Sequence, residues 1–587
     1  MRYQNPIIRG FHPDPSACRV GNDYYLVTST FEYYPGIELW HSRDLVRWEQ
    51  IGNVLTSENG LDLSKVKEEG GVWAPTIRYR EENRTFYIAV TIEKQGNLVI
   101  HARDPRGPWT GAVWIPSKGI DPSLLFDDGK CWFCVNDWEG RQKPGIVAAG
   151  IDPDTGRILQ PFRFLWSGTG GGWIEAPHLY HIGEWYYLLT AEGGTGWGHM
   201  ETAARSRSLF GPYESCPWNP FLTNRNDTSK QLTCTGHGDL VEDTDGNWWM
   251  VHLAVRPGVL PLSQLGRETC LTPVRWKEGW PCVRDGRARI EEDGSAWFEG
   301  SRKAPGSEKS SGSAAENSGP GAEKGGSAIG GSVGKAAAAE TNDPAQAAGN
   351  RKVLAEDSGL NASRENGENQ KDREISGLDE STENAGSQKC RILHTDDFSS
   401  ESWPPFWHFV RNPDLTWYER GNGTLGISPA PDADEDRAEA MVLTPQPDFA
   451  FTMAADAETP GQTGVEAGVI VWNTHPFWCF FGIRRSGDGS DGTVSLFLRR
   501  RVDDILVEKE LAEFSGKPGD RFTLSVRGTR DGYTFACGEK EITVPAGMFC
   551  GSVLPRAFTG TMVGLRAGAA ESGRKGQVRF HGFRLMA

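Results

Sequence analysis

Short runs of bulky apolar and aromatic residues recur along residues 1–296, and each follows a segment that contains proline or glycine. These runs lie at residues 23–28, 85–90, 131–135, 185–189 and 248–252. The same region shows no sustained 3.6-residue apolar period, so the pattern predicts β-strands and few helices.

The segments before these runs resemble one another. They hold Asp14-Pro15, Ala74-Pro75, Asp121-Pro122, Ala176-Pro177 and Gly238. Measured from Asp14, Ala74, Asp121, Ala176 and Gly238, the steps are 60, 47, 55 and 62 residues. Repeats of this length built from short strands predict an all-β, five-bladed β-propeller. Because proline fixes φ and restricts the residue before it, we also expect an extended backbone at Asp14.

Corresponding positions of a propeller surround one central axis. Asp14, Asp121, Glu175 and His237 lie at, or directly beside, the repeated positions. The sequence therefore predicts that these four side chains converge at one end of the axis.

A change of composition divides the chain. No Phe, Trp or Tyr lies between Phe298 and Phe398, where Ser, Gly, Ala, Glu and Asn dominate. Such a segment cannot bury enough apolar surface to offset its ordering entropy. We therefore predict a propeller domain over residues 1–298, a disordered low-complexity linker over 301–388, and a further domain over 390–587.

The third region returns to strand-like patterns, at residues 406–409, 467–472, 477–481, 493–498 and 522–526. Several alternating strands separated by turns predict a β-sandwich. No carboxylate here has a setting like that of Asp14, so the chemistry is expected in the propeller.

Charge and composition narrow the function classes. With 62 basic against 78 acidic residues the net charge is −16, which argues against a nucleic-acid partner. The 22 tryptophans suit carbohydrate binding, although most of them are expected to pack between sheets. The beginning of the sequence has no apolar leader and the chain has no 18-residue apolar run, so we expect a cytoplasmic protein without a membrane partner.

Three converging carboxylates suit hydrolysis of a glycosidic bond. One protonated carboxyl donates to the leaving oxygen, and a second, ionised carboxylate acts as base or nucleophile. A third acid nearby raises the pKa of the donor by repulsion. Asp14, Asp121 and Glu175 supply this set, although an aspartate before proline also caps turns and Glu175 also suits a loop.

Segments of the chain, taken in order, resemble those of family 43 glycoside hydrolases, in the branch with β-xylosidases, xylosidase/arabinofuranosidases and a C-terminal concanavalin-like β-sandwich. The segments are residues 5–16, 29–36, 71–75, 119–123, 175–180, 236–239 and 265–269, with 396–398 and 558–565 in the sandwich.

The resemblance implies a role for each acid. Asp14 would be the general base, Glu175 the general acid, and Asp121 the residue that orients this acid and tunes its pKa. The family inverts the anomeric centre, so carboxyl groups about 6.5–9.5 Å apart are expected for Asp14 and Glu175.

It also implies binding roles for other side chains. Arg267 would hold sugar hydroxyls or steady a carboxylate, and His237 would hydrogen-bond near the base. Phe31 and Trp73 would form pocket walls, and Phe558 of the sandwich would narrow the pocket. The alternatives are a surface ion pair for Arg267, a structural role for His237 and interior packing for the aromatics.

The expected function is that of an inverting exo-glycosidase that releases xylose from the non-reducing ends of xylo-oligosaccharides. An α-L-arabinofuranosidase side activity is expected on arabinose-substituted oligosaccharides. The alternatives are a main arabinofuranosidase activity and a non-catalytic carbohydrate-binding propeller. No cofactor is required by this interpretation, although a divalent cation such as calcium near His237 and a homo-oligomer are both compatible with it.

Overall fold

The computed structural model describes residues 3–137, 144–225, 227, 231–258, 263–283, 391–430, 439–486, 492–549, 558–569 and 576–587. The predicted linker at 301–388 and the predicted domain boundaries at 298 and 390 lie outside the described residues. In the described part, regular structure consists of β-strands and three short 3-10 helices, and none of these helices could cross a bilayer.

Among the described residues of the first half of the chain, five four-stranded antiparallel sheets follow one another. The first is β1 Ser16–Val20, β2 Asp23–Thr28, β4 Gly36–Ser42 and β5 Glu49–Leu55, and the short β3 is Tyr33–Tyr34. The second is β6 Val72–Arg80, β7 Thr85–Ile92, β8 Gly96–Ala102 and β9 Val113–Ile115. The third is β10 Ser123–Asp127, β11 Lys130–Asp137, β12 Gly145–Ile151 and β13 Ile158–Trp166.

The fourth sheet is β14 Glu175–Ile182, β15 Trp185–Glu192, β16 Met200–Ser206 and β17 Glu214–Ser215. The fifth is β18 Thr233–Glu242, β19 Trp248–Val255, β20 Glu268–Lys277 and β21 Trp280–Cys282. The five apolar runs of the sequence are the second strands β2, β7, β11, β15 and β19. These strands carry many buried apolar residues because each sheet packs between two others; β7 is buried along its whole length.

The first strands of the five sheets form a closed ring. β1 contacts β6, β6 contacts β10, β10 contacts β14, β14 contacts β18, and β18 contacts β1. The chain before β1 strengthens this closure, because Asn5 exchanges two hydrogen bonds of 2.8 Å with the backbone of Leu271 in the fifth sheet. The arrangement is a β-propeller, as the sequence predicted.

The second half of the chain forms two packed sheets. The larger sheet has the order β24-β25-β36-β27-β32-β33-β34 with β22 beside β36, and the smaller has the order β26-β35-β28-β29-β30-β31. Their bounds are β22 Ile392–Asp396, β23 Phe409–Val410, β24 Tyr418–Gly421, β25 Thr424–Ile427, β26 Met441–Pro445, β27 Phe451–Glu458, β28 Val465–Thr474, β29 Phe477–Ser486, β30 Gly492–Val502, β31 Ile505–Gly516, β32 Arg521–Gly528, β33 Gly532–Cys537, β34 Lys540–Pro545, β35 Met562–Ala569 and β36 Val578–Met586. The 3-10 helices are Ser57–Asn59, Leu415–Trp417 and Ala546–Phe549.

Alternating polarity explains these strands. In β27 every second residue is buried, from Phe451 to Ala457, and the buried residues join a core to which both sheets contribute. The predicted sandwich is therefore confirmed. The strand expected at 406–409 is wrong in extent, because β23 contains only Phe409 and Val410, preceded by an isolated bridge from His408 to Leu443, while the ring of Trp407 turns into the sandwich core.

Propeller and sandwich share a second apolar core. It combines Phe11, Phe31 and Tyr33 of the propeller with sandwich residues that include Ile470, Trp472, Phe480 and Met562. β3 also pairs with β23 in a two-stranded sheet of their own, so the backbones of the two domains are hydrogen-bonded to each other. Because a fully buried large apolar side chain contributes about 1.5–3 kcal/mol, this core couples the stability of the two domains.

Candidate active site

A cavity of about 800 Å³ opens on the propeller, and all eight site residues expected from the sequence line it. They are Asp14, Phe31, Trp73, Asp121, Glu175, His237, Arg267 and Phe558. The first seven come from the propeller, whereas Phe558 precedes β35 of the sandwich. The cavity is therefore built by both domains.

One backbone feature recurs at the repeated position in every sheet. A residue other than glycine adopts a left-handed backbone there, with φ of 55° at Asp14, 44° at Ala74, 58° at Asp121, 48° at Ala176 and 54° at His237. The prediction of an extended backbone at Asp14 is therefore wrong. The fifth repeat is also corrected by one residue, from Gly238 to His237, which makes the last step 61 residues instead of 62.

Bulges in the strand pairing accompany this turn. The register shifts by one residue between Trp73 and Thr76, between Glu175 and His178, and between Gly236 and Asp239. A bulge bends its strand and redirects side chains. Such strained positions persist only where their surroundings hold them, and they concentrate at functional sites.

Hydroxyl groups from the preceding sheet hold two of these left-handed residues. Ala74 N donates to Ser29 Oγ at 2.7 Å, and Asp121 N donates to Thr91 Oγ1 at 3.2 Å. Ser29 directly follows β2 of the sheet before Ala74, and Thr91 lies in β7 of the sheet before Asp121. Each of the two left-handed residues is thus fixed from the preceding sheet.

Carboxyl groups hold the bulges of the fourth and fifth sheets. Ala176 N donates to Asp121 Oδ2 at 3.2 Å, and Gly238 N donates to Glu201 Oε2 at 2.9 Å. Asp121 therefore both faces the cavity and holds the residue that follows Glu175. This bond gives a direct geometric basis for an orienting role of Asp121 toward Glu175.

Asp14 is surrounded by groups that favour its ionised form. Arg267 Nη1 donates to Asp14 Oδ1 at 2.6 Å, Ser29 Oγ donates to Oδ2 at 2.7 Å, and His237 Nδ1 lies 3.6 Å from Oδ1. Burial alone would raise the pKa of Asp14, but Arg267, His237 and the Ser29 hydrogen bond outweigh it and leave the pKa lowered.

The pKa values of Asp121 and Glu175 shift in the opposite direction. Burial, and after it repulsion by Asp121 and Asp14, raises the pKa of Glu175 well above its ordinary value. Burial raises the pKa of Asp121 to about 6, against an attraction by His237 that is larger than the added repulsion from Asp14. The cavity thus combines a carboxylate that stays ionised with a carboxyl that stays protonated.

Arg267 and Phe558 form the wall that the two domains share. Arg267 Nη2 and Nε donate to the carbonyl oxygen of Phe558 at 3.1 and 3.3 Å, and Phe558 N donates to Glu69 Oε1 at 2.8 Å. The ring of Phe31 lies 6.3 Å from that of Trp73 and 6.5 Å from that of Phe558. The guanidinium of Arg267 lies 5.1 Å from the ring centre of Phe31. The rings of Phe31, Trp73 and Phe558 and the guanidinium of Arg267 therefore line the cavity together with Asp14.

Sequence reasoning missed several residues that line the cavity, among them Asn136 and Trp173. Asn136 accepts a hydrogen bond of 2.7 Å from Ile120 N and so supports the segment that contains Asp121, and its buried Nδ2 has no protein partner in the described part of the chain. Trp173 is 62% exposed and lines the cavity two residues before Glu175. Its position in the loop before Glu175 was the available signal.

Asp239 looks like a further acid of the site but is fully paired. Arg78 donates to both of its carboxylate oxygens at 2.8 Å, and Tyr180 donates to Oδ1 at 2.5 Å. Although burial opposes ionisation, Arg78 holds the pKa of Asp239 far below its ordinary value. This carboxylate is unsuited to proton transfer and joins the first, second, fourth and fifth sheets with Ser16.

The calcium expectation remains a prediction. Among the described residues, no group of three or more His, Cys, Asp or Glu side chains is arranged to hold a metal ion. His237 faces the carboxylate of Asp14, and nothing else in its described surroundings indicates a cation.

The fold and the site define a class of protein. It is an all-β propeller with a carboxylate-lined cavity, and a sandwich domain contributes one wall of this cavity. The sequence model of Glycosyl hydrolases family 43 matches residues 3–281, and that of the Beta xylosidase C-terminal Concanavalin A-like domain matches residues 395–586. The chain belongs to glycoside hydrolase family 43.

Curated relatives match about half of the chain. The chain is 46% identical over 291 residues to a non-reducing end alpha-L-arabinofuranosidase of Bacteroides ovatus, an alignment that covers 48% of this chain and 54% of the relative. It is 43% identical over 308 residues to a xylosidase/arabinosidase of Butyrivibrio fibrisolvens, covering 49% and 58%. The matched part spans about half the length of these relatives.

Solved structures match more of the chain. A xylan beta-1,4-xylosidase from Bacillus halodurans C-125 superposes with a TM-score of 0.76 at 26% identity and covers 100% of both chains. A Bacteroides ovatus protein of a xyloglucan utilisation locus superposes with a TM-score of 0.75 at 29% identity, covering 100% of this chain and 99% of that one. The combination of propeller and sandwich is thus shared with these proteins.

Proposed function

We propose that this protein is an inverting exo-glycosidase that releases xylose from the non-reducing ends of xylo-oligosaccharides, with α-L-arabinofuranosidase side activity. The observation that carries the proposal is the opposite shift of two carboxyl groups in one cavity. The pKa of Asp14 is lowered and that of Glu175 is raised, as base and acid require.

The roles follow from these protonation states. Asp14, ionised and steadied by Arg267, removes a proton from a water molecule as its oxygen bonds to the anomeric carbon. Glu175 donates its proton to the glycosidic oxygen as the bond between this oxygen and the anomeric carbon breaks. One proton is gained by Asp14 and one is lost by Glu175, and exchange with solvent restores both. A separation of about 6.5–9.5 Å between these carboxyl groups remains a prediction of this mechanism.

The exo mode is supported by the wall that the sandwich contributes. Phe558 is held from both sides, by Glu69 at its N–H and by Arg267 at its carbonyl oxygen. A cavity bounded there suits a terminal sugar, whereas an internal sugar of a long chain needs a groove that is open at both ends.

A main arabinofuranosidase activity is the second candidate. The observation in its favour is the 46% identity over 291 residues to a relative described as a non-reducing end alpha-L-arabinofuranosidase. The same acid, base and wall would serve this sugar, so the two candidates differ only in the preferred glycone.

The test is hydrolysis of p-nitrophenyl β-D-xylopyranoside and p-nitrophenyl α-L-arabinofuranoside by wild type, Asp14→Ala and the isosteric Asp14→Asn. Because general base catalysis contributes roughly 10²–10⁴-fold, both variants should lose at least about 100-fold in kcat. Asp23→Ala is the matched control, because Asp23 lies in the same sheet and pairs with His41 rather than with a cavity residue.

The ratio of the two activities identifies the main glycone. A higher kcat/KM on the arabinofuranoside would replace the first candidate by the second and keep the site. A folded wild type that turns over neither substrate would refute both candidates and favour the carbohydrate-binding alternative.

A further inference from the structure

The loop that carries Glu175 is tied to a buried carboxylate for which the mechanism has no role. This loop, residues 167–174, joins β13 to β14 and contains glycines with left-handed backbones at positions 168, 170 and 172. Such a segment has little intrinsic stiffness. An external contact must therefore fix where it delivers Trp173 and Glu175.

Glu192 supplies that contact. It is the last residue of β15, is 1% exposed, and follows Ala191, which lies directly opposite Glu175 in the strand pairing. Its Oε1 accepts from Thr169 N at 2.8 Å, and its Oε2 accepts from Gly171 N at 2.8 Å and from Thr169 Oγ1 at 3.0 Å.

The carboxylate of Glu192 is also held by a neighbouring strand. The hydroxyl of Thr202 on the neighbouring strand β16 lies 2.8 Å from Glu192 Oε1. Directly after Glu192, Gly193 N donates to Gly172 O at 2.8 Å, which adds a backbone contact to the same loop. The loop is thus held at three successive points, two of them on one carboxylate.

We propose that Glu192 is a positioning residue for the general acid, acting through the loop at 167–174. This inference rests on the proposed function, since it assumes that Glu175 donates the proton. Glu192 contacts the loop backbone and is not itself assigned contact with substrate, so its effect reaches the reaction only through the placement of Glu175 and Trp173.

An amide cannot replace this carboxylate. One backbone N–H points at each of the two oxygens of Glu192, whereas a glutamine side chain offers one oxygen and one NH₂ group. In either orientation of the amide, the N–H of Thr169 or of Gly171 would face a donor. Glu192→Gln should therefore release the loop at one of its two anchors.

The distinguishing readout is dependence on the leaving group. A misplaced proton donor matters most for substrates whose leaving oxygen needs protonation, and little for an activated phenolate. We expect Glu192→Gln to lower kcat/KM for the phenyl glycoside and the disaccharide roughly tenfold more than for the 2,4-dinitrophenyl glycoside, within the roughly 10²–10⁴-fold that a general acid provides. The glycone is whichever sugar wild type prefers.

Three variants complete the design. Thr169→Val removes one bond to Glu192 from an exposed loop residue, so it tests the inference without disturbing the core, and it should show the same trend more weakly. Asp243→Asn is the matched control. Asp243 accepts from Asp245 N, Asn247 N and Trp249 Nε1 in the turn that follows β18, and it makes none of these bonds to the loop at 167–174. Glu175→Ala is the reference for complete loss of the acid.

Each outcome is decisive. A leaving-group-dependent loss in Glu192→Gln and Thr169→Val, absent from Asp243→Asn, supports the inference. A uniform loss across leaving groups, or no loss, while Glu175→Ala is leaving-group dependent, overturns it and leaves the proposed function intact. If Glu192→Gln does not fold, Thr169→Val decides alone. If Glu175→Ala itself shows no dependence, or wild type is inactive, the proposed function fails and this inference fails with it.

Discussion

Arg267 Nη2 donates to the carbonyl oxygen of Phe558 at 3.1 Å while Nη1 of the same guanidinium donates to Asp14 Oδ1 at 2.6 Å. One side chain of the propeller thus connects the proposed base to the sandwich domain. A planar fork can make both bonds at once, whereas a single ammonium cannot reproduce that geometry.

Arg267→Lys should therefore weaken catalysis most at low pH. The positive charge and geometry of Arg267 help to keep the pKa of Asp14 low, so the variant should raise that pKa. Because the base works only when ionised, the acidic limb of the kcat/KM profile should move to higher pH. We expect roughly a tenfold loss at the acidic end, equivalent to about 1.4 kcal/mol.

The control is Arg420→Lys, in which the same substitution breaks a two-bond pair with Asp396 in the sandwich. It should change thermal stability without moving the acidic limb. An unchanged limb in Arg267→Lys would show that Arg267 does not set the protonation of Asp14.

The alkaline limb should depend on Asp121. Repulsion by Asp121, second to burial, raises the pKa of Glu175, and the acid works only while it is protonated. Asp121→Asn removes the charge but keeps an oxygen that can accept from Ala176 N. The pKa of Glu175 should fall, so kcat/KM should decline at lower pH than in wild type.

A pH profile of kcat/KM measures this shift, because it reports groups of the free enzyme. Asp127→Asn is the control, since Asp127 lies at the far end of β10 and accepts from the hydroxyl of Tyr186. A limb that stays in place, or moves to higher pH, would contradict the orienting and tuning role of Asp121.

All eight residues that the sequence predicted line the cavity, but the sequence missed others, such as Asn136 and Trp173, and the backbone that presents them. Asp14 and Asp121 could be found because the repeat placed them beside prolines, and Phe558 because its segment resembled a known family. The left-handed turn at Asp14 could not be found, since local preferences for the residue before proline favour an extended chain. Contacts from residues distant in the sequence, such as those of Ser29 and Arg267 with the Asp14 carboxylate, override this preference.

The supporting contacts have no local signal at all. Thr91 holds the left-handed Asp121 before the following sheet, Glu201 holds the bulge at Gly238, and these partners lie 30 and 37 residues away in the sequence. Nothing in the sequence around Thr91 or Glu201 marks them as different from other strand residues. Their role depends on which sheets become neighbours, which the repeat pattern predicts only in outline.

The sandwich reaches the cavity through a close approach of two glycines. A Cβ on Gly560 would lie 2.3 Å from the carbonyl oxygen of Leu265, and a Cβ on Gly266 would lie 2.7 Å from Gly560 Cα. Gly560→Ala should therefore push the segment after Phe558 away from the propeller. Overpacking of this kind costs about 1–3 kcal/mol in stability.

Displacement of Phe558 should lower kcat/KM as well as the melting temperature, because the wall of the cavity moves with the segment. Gly461→Ala in the same domain is the control, since no atom lies within 4 Å of a Cβ built there. Wild-type kinetics in Gly560→Ala would show that Phe558 does not shape the cavity.

Two buried acids near Phe558, Glu32 and Glu69, should make the free energy of unfolding depend on pH. Burial, with the added charge of Glu69, raises the pKa of Glu32 to about 8. Glu32 Oε2 accepts from Glu69 N at 3.0 Å, and Arg411 N donates to the carbonyl oxygen of Glu32 at 2.7 Å. Glu69 in turn holds Phe558 N, so the pair lies where the two domains meet.

The sign follows from the protons bound in each state. Between its ordinary value of 4.5 and about 8, folded Glu32 keeps a proton that the unfolded chain releases. The free energy of unfolding should therefore fall as pH rises through this window, by up to about 1.4 kcal/mol per pH unit, and level off above it. Below the window both states are protonated and this contribution is constant.

Glu32→Gln should remove this part of the pH dependence, because an amide stays neutral and its oxygen can still accept from Glu69 N. The measurement is the melting temperature at pH 6, 7 and 8 for wild type, Glu32→Gln and the exposed control Glu58→Gln. Wild type and the control should lose stability over this range more steeply than Glu32→Gln. Parallel slopes for all three proteins would mean that Glu32 is already ionised at pH 6 in the folded state, and that a counter-charge at the domain junction offsets its burial.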